Sequence, residues 1–305
     1  MTEFKKIELS DVSEISQYLK FQNFGLCDFT APTLYMWRDY FETQFLIKDG
    51  FLFLRHENFE GKRAYFYPLG KNDILPALNL IYEYEIQECG NKNLDFCLVP
   101  KEKCEEIAAF FHKKCPHTRV SITSDSNWDD YIYLKDEISG FPGKKLHGQK
   151  NHLNFFNKTF TDCKYVELTP QNIHLLKKFV TDSGLNEDAN EIEKAEYEGL
   201  IEYLDNFNFF PDSFGGYLTV SEKIVAFAIA EFSGEYLIIH NEKADKSYRG
   251  AYQKIFDCIM KHKADENIKY INREEDCGDE GLRYAKNAYH PHDLLKKCTV
   301  SFSGF

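Results

Sequence analysis

Apolar positions along the chain fall into short runs and helical stripes that take turns, so strands and helices alternate. Ile7, Val12, Ile15 and Leu19 make a helical stripe behind the capping pair Ser10 and Asp11. Two strand-like runs, 44–48 and 51–55, flank Asp49-Gly50, a dipeptide suited to a tight hairpin turn. A third run, 63–67, stops at Pro68 and Gly70. Asp73 then opens a helix with Pro76 in its first turn and Leu75, Leu78, Tyr82 and Ile86 on one face, ended by Gly90. Residues 94–99 read as a strand. Past Pro100, a helix carries Cys104, Ile107, Ala108 and Phe111 at i, i+3, i+4, i+7.

The second half repeats the order. Thr169-Pro170 opens a helix through Val180, and a longer helix spans 192–204. Strands follow at 217–220, 224–232 and 236–240. The middle one, IVAFAIAEF, is nearly continuous apolar, which predicts cover on both faces. A helix begins near Gly250, a strand lies at 268–272, and a last helix runs over 279–289 before Pro291. The helices starting near Ile74 and Glu102 match those near Gly250 and Glu280, offset by 176 and 178 residues. No clear residue identity accompanies the offset, so what repeats is the order of elements. Any α/β chain can produce such an order by chance, but the near-constant offset favours a true repeat. The predicted fold class is α/β (α+β), with two tandem domains, each a mixed sheet flanked by helices. The turn Gly140-Phe141-Pro142-Gly143 sets the boundary, giving domains 1–139 and 140–305.

Composition agrees with two packed cores. The length, 305 residues, exceeds what one core usually serves, and 27 Phe with 19 Tyr supply bulk for two. Charge narrows the partners: 37 basic against 49 acidic residues give a net −12, which repels nucleic acid and anionic membranes at long range. One segment runs against that trend. Residues 138–161 contain no acid but hold Lys144, Lys145, Lys150, Lys158, His147 and His152. Nine cysteines, odd in number and without a C-x-x-C pair, predict neither a disulfide framework nor a thiolate zinc site. No histidine spacing suits a metal either, so none is expected. The polar start MTEFKKIELS lacks a signal-peptide core, and no apolar stretch has transmembrane length. A cytoplasmic location is expected.

Candidate chemistry gathers in the last third. His240-Asn241-Glu242-Lys243 ends a central strand, and Arg249-Gly250-Ala251 opens the next helix. Open α/β sheets bind ligands past the carboxyl ends of their strands, and helix N-termini bind phosphate. Gly250 lets an anion approach the backbone, or simply eases a strand-to-helix turn. Asn272-Arg273-Glu274-Glu275-Asp276 follows the last core strand, with Arg283 and Lys286 on the helix beyond. Two arginines there suit a carboxylate or phosphate, while the acids are either bases or a solvated loop. Glu231, at the end of a covered strand, is a general base or half of an ion pair with a lysine.

The runs HNEKADKSYRGAYQ and YINREEDCGDEGLRYAKNAYHP, with GKKLHGQKNHLNFF, CDFTAPTLYMW and YFYPLG upstream, resemble a bacterial family grouped with the C-terminal domain of phosphatidylglycerol lysyltransferases. The resemblance implies two tandem acyl-CoA N-acyltransferase-like (GNAT-like) folds, as in peptidoglycan bridge aminoacyltransferases. It implies donor binding at Ser247, Tyr248, Arg249, Gly250, Ala251 and Tyr252, where the superfamily places a Q/R-x-x-G-x-G/A loop; here Ser and Tyr stand at its ends. It also implies a base at Glu231 or Glu242 and a general acid at Tyr284 or Tyr289. Asn241, Lys243, Asn272, Arg273, Glu274, Arg283 and Lys286 are the expected substrate contacts.

The function expected is acyl transfer from an acyl-CoA-like donor to an amine acceptor in an interdomain cleft, with CoA or acyl-CoA as co-substrate and no prosthetic group. Transfer from aminoacyl-tRNA is the alternative, disfavoured by net charge; it would use Lys144, Lys145, Lys150 and Lys158. A non-catalytic binding module is the third reading. The N-terminal domain is expected to be structural or acceptor-shaping, because Asp73 stands where a donor phosphate would sit.

Overall fold

The computed structural model describes residues 4–185 and 188–305. They form two compact units: one runs to Asp129 and takes back Leu295–Phe305, the other is Asp130–Leu294. The expected boundary at 139/140 thus falls inside the second unit, because the strand that starts at Asp130 already belongs to its sheet.

The first unit contains β1 (Lys5–Lys6), α1 (Val12–Leu19), α2 (Ala31–Trp37), β2 (Thr43–Lys48), β3 (Phe51–Phe59), β4 (Lys62–Tyr65), β5 (Leu69–Gly70), α3 (Leu75–Tyr82), β6 (Asn93–Pro100), α4 (Cys104–Lys114) and β7 (Arg119–Ser124). The β2–β3 turn forms where expected, with left-handed Asp49 (φ 52°) and Gly50 (φ 81°). Cys104, Ile107, Ala108 and Phe111 are all buried along one face of α4.

The second unit contains β8 (Asp130–Leu134), α5 (Lys135–Ile138), α6 (His147–Thr159), β9 (Lys164–Glu167), α7 (Ile173–Ser183), α8 (Glu191–Asp205), β10 (Ser213–Val220), β11 (Lys223–Ser233), β12 (Tyr236–Ala244), α9 (Ala251–Lys263), β13 (Tyr270–Asn272), α10 (Glu280–Asn287) and β14 (Asp293–Leu295). β15 (Lys297–Ser303) then returns to the first unit. β11 is buried without a break from Val225 to Glu231, as its apolar run requires.

The strand orders are β1-β2-β3-β4-β6-β15-β7, with β5 against β3, and β14-β8-β13-β12-β11-β10-β9. In each sheet a parallel pair is joined through a helix: β4 and β6 through α3, β12 and β13 through α9. Each parallel pair is followed by an antiparallel neighbour, β15 beside β6 and β8 beside β13. The offset of 176 residues reappears in backbone detail. Phe96 and Asn272 are both pairing positions in the parallel ladders, and two residues later Leu98 (φ 53°) and Glu274 (φ 58°) are both left-handed. A side chain in that conformation costs energy, so the shared kink belongs to the architecture.

Candidate functional site

β12 and β13 pair only from Tyr236 and Tyr270 to Ile238 and Asn272. β12 then continues along β11 to Ala244, while the chain after β13 stays with the start of β8: Arg273 N–H donates to the Tyr131 carbonyl (3.0 Å), and Tyr131 N–H donates to the Glu274 carbonyl (3.1 Å). The parallel strands therefore part at their carboxyl ends, where open α/β sheets take ligands. His240 sits in this gap as the extra residue of a β-bulge, for Ile229 faces Asn241 and Ala230 faces Ile239. A bulge re-aims a side chain that regular pleating would send elsewhere.

Two side-chain pairs join the parted strands. His240 Nδ1 lies 2.8 Å from Glu274 Oε1, and Arg273 Nη2 donates to Glu242 Oε2 at 3.1 Å. From β11, Glu231 Oε2 comes within 3.9 Å of His240 Nε2. Burial alone would keep the imidazole neutral, but the Glu231 and Glu274 carboxylates raise its pKa to about 9. Burial in turn raises Glu274 to about 7 against the opposing pull of His240. Glu242 is also pushed up by burial, with Arg273 holding it back. The Arg273 guanidinium lies over the Tyr289 ring (4.5 Å) and the Phe256 ring (5.3 Å). Among the described residues, Glu242 Oε1 and Arg273 Nη1 are buried without a hydrogen-bond partner. Such atoms are costly unless something meets them, and they mark this gap as a place for a polar ligand.

The remaining expected residues divide between this gap and structural duty. Glu231 is buried beside a histidine, not the lysine expected for an ion pair. Tyr289 is buried, and its hydroxyl accepts from Gln253 Nε2 at 3.1 Å. Tyr284, on α10, is 80% exposed and joins neither pair across the gap. Asn272 holds the kink: its Oδ1 accepts from Glu274 N–H (2.6 Å) and its Nδ2 donates to Asp130 Oδ2 (2.7 Å). Arg283 is a clamp already engaged. Its Nε and Nη2 each donate at 2.8 Å to the two oxygens of the fully buried Asp276, which also accepts from Tyr131 Oη. Lys286 Nζ donates to the carbonyls of Glu274 and Glu275, fixing the same loop. Asn241 and Lys243 both turn to Glu196 on α8, at 3.3 and 3.1 Å.

The Ser247–Tyr252 turn is occupied from within. Ser247 N–H and Oγ donate to Asp245, and Ala251 N–H donates to the Tyr248 carbonyl at 2.9 Å. Gly250 has φ 91°, and a Cβ there would stand 2.3 Å from the His152 carbonyl oxygen of α6 and 3.0 Å from Phe156 Cβ. Arg249 lies over the Phe155 ring (4.8 Å) with Nε 3.4 Å from His152 Nδ1, and Tyr248 packs on Phe160 (5.1 Å). Tyr252 is half-buried, and burial raises its phenol. Close approach of α6 accounts for the glycine. The basic segment is largely this helix: Lys150 Nζ donates to the Gly140 carbonyl, while Lys144, Lys145 and Lys158 are exposed. His240 belongs to the run singled out in the sequence, yet its position between two carboxylates was invisible there. Asp276 was visible only as one acid of the 272–276 run, its role as the buried partner of Arg283 unseen, and Tyr131 carried no local signal at all.

Two units, each a mixed sheet flanked by helices with a parallel pair joined through a helix, make a tandem α/β fold, and in the second unit that pair parts at a charged gap. Residues 23–300 match the family model described as "Phosphatidylglycerol lysyltransferase, C-terminal", and the chain belongs to that family. A conserved protein of unknown function from Bacteroides thetaiotaomicron VPI-5482 is 32% identical, with 99% of this chain and 100% of that one covered, at a TM-score of 0.86. The L-PGS structure from Bacillus licheniformis shares the fold at TM-score 0.63 and 14% identity, over 94% of this chain and 90% of that one. FemX does so at TM-score 0.60 and 9% identity, over 98% and 97%. An uncharacterised protein of Mycoplasmoides gallisepticum is 23% identical over 187 residues, so the match spans 59% of this chain and only 58% of that protein's length. Among the described residues, no helix is long and apolar enough to cross a membrane.

Proposed function

We propose that the chain transfers an aminoacyl-type group from an activated ester to a hydroxyl or amine acceptor, with the chemistry in the gap between β12 and β13. The observation that carries this reading is His240 held between Glu231 and Glu274. At neutral pH, Glu274 (about 7) is divided between its acid and base forms, the condition a group needs to take a proton and return it. The acceptor's proton passes to Glu274 as its oxygen or nitrogen bonds to the ester carbonyl. The carbonyl electron pair moves onto oxygen, returns as the acyl–oxygen bond breaks, and the leaving alkoxide collects the proton. The cations of His240 and Arg273 offset the developing charge. In this reading Glu231 holds the imidazolium, Glu242 orients Arg273, and Tyr289 packs beneath it.

The donor favoured by the sequence, acyl-CoA at Ser247–Tyr252, is the less supported reading, since α6 and the turn's own hydrogen bonds already engage that backbone. A family described by a lysyltransferase makes the aminoacyl ester the better candidate. For the first unit we propose a non-catalytic role. Past its own parallel pair the chain carries Phe66 and Tyr67, packed with Phe24 and Phe29, where the second unit has charges.

The test is single-turnover transfer from radiolabelled aminoacyl-tRNA to lipid and amine acceptors, with acetyl-CoA in parallel. Glu274→Gln should lower the transfer rate about 10²–10⁴-fold with donor affinity retained. Wild-type transfer by that variant, or consumption of acetyl-CoA alone, would overturn the reading.

A further inference from the structure

The first unit buries a nucleophilic pair that the acyl-transfer gap does not contain. Cys27 opens the short turn Cys27–Phe29 ahead of α2 and is 1% exposed; Lys297 opens β15 and is 2% exposed. Lys297 Nζ stands 3.3 Å from Cys27 Sγ and 2.6 Å from Asp28 Oδ2, and Cys27 Sγ lies 3.8 Å from that same carboxylate oxygen. A carboxylate is enough to balance a buried ammonium. Packing a thiol against it as well sets an oxidisable sulfur, an amine and a proton acceptor in mutual contact. Because the nitrogen is already at contact distance, bond formation needs little reorganisation.

We propose that Cys27 and Lys297 are a modification site, closed by a peroxide into a covalent sulfur–nitrogen cross-link with Asp28 as proton carrier. The sulfur of Cys27 attacks one oxygen of hydrogen peroxide. The S–O bond forms and the O–O bond breaks. The departing hydroxide takes the thiol proton, leaving a sulfenic acid and water. Lys297 gives a proton to Asp28, and its freed electron pair attacks the sulfur. The N–S bond forms, the S–O bond breaks, and the hydroxide leaves as water with the proton from Asp28. Nitrogen then sheds its surplus proton to solvent. Sulfur has lost two electrons and one peroxide has become two waters. Peroxide is little larger than water and reaches buried thiols through local opening. The link would tie the turn before α2 to the first residue of β15, the strand that pairs with both β6 and β7.

The experiment treats the full chain with hydrogen peroxide, blocks remaining thiols, and maps peptides by mass. The expected product is a joined pair of peptides containing Cys27 and Lys297, about 2 Da lighter than their sum and separated again by dithiothreitol. It should be absent from Cys27→Ser and from Lys297→Arg, which keeps the charge against Asp28. Asp28→Asn should slow its formation. Peroxide should also raise the unfolding midpoint of the first unit, read from Trp37 and Trp128, in the wild type but not in Cys27→Ser. Cys27 left unmodified, or oxidised to sulfenic or sulfinic acid with Lys297 free, overturns the proposal. Should Lys297→Arg fail to fold, the wild-type map and Cys27→Ser still decide.

Discussion

Replacing Gly250 by alanine separates two roles for one turn. If the glycine exists so that an anion can reach the backbone, Gly250→Ala weakens ligand binding and spares the fold. The geometry gives the opposite expectation. The new Cβ would stand 2.3 Å from the His152 carbonyl oxygen and 3.0 Å from its carbon, both backbone atoms of α6, so α6 itself must move away from α9. Relief of such overpacking costs about 1–3 kcal/mol. Holding alanine at φ 91° adds roughly 1–2 kcal/mol. Together the loss is about 2–5 kcal/mol, on the order of 10 °C in midpoint for a unit of this size. Both tryptophans lie in the first unit, so the readout is hydrogen exchange at the amides of α9 and α6. Gly250→Asn sharpens the test, because asparagine tolerates the left-handed region yet brings the same Cβ. It too should lose most of that stability. A fully stable Gly250→Ala that had lost donor binding would refute the packing argument and restore the turn as a phosphate site.

Other outcomes follow from the same contacts. His240 is raised from 6.5 to about 9, so its contribution is complete below pH 6.5 and lost as pH rises through 9; the unfolding free energy, read by chemical denaturation, should fall across that range by about 3 kcal/mol, and His240→Gln should flatten this slope. Arg283→Met should lower stability by stranding the buried Asp276 carboxylate, whereas Tyr284→Ala on the same helix should be silent in both melting and transfer. A fragment spanning 130–295 should fold with its sheet complete. One spanning 140–305 lacks β8, the partner of β13, and should give a broad, weakly cooperative melt by circular dichroism.

What could be read from the sequence was whatever local spacing determines. The apolar run of β11, the four-residue stripe of α4 and the Asp49-Gly50 turn all follow from residues within one element. The repeat was legible as an offset because the spacing between the starts of corresponding helices is nearly the same in the two halves. β15 was not: KCTVSFS mixes polar and apolar positions, and its pairing with β6 and β7 is long-range. In the site, the runs at 240–243 and 272–276 were visible as dense polar clusters. The division of labour inside them was not. Whether Arg283 meets a substrate or Asp276 depends on a contact made through the fold of α10, and Gly250 owes its identity to a helix nearly one hundred residues earlier.

The return of β15 also bears on how the chain is made. In the first sheet, β6 and β7 do not touch each other; β15 fills the place between them. That strand leaves the ribosome only after the entire second unit. The first unit is therefore begun first and finished last, with an open slot edged by β6 and β7 throughout synthesis. Open strand edges are where chains pair wrongly. The residues that complete the amino-terminal half are thus those most exposed to loss by a premature stop near the carboxyl end.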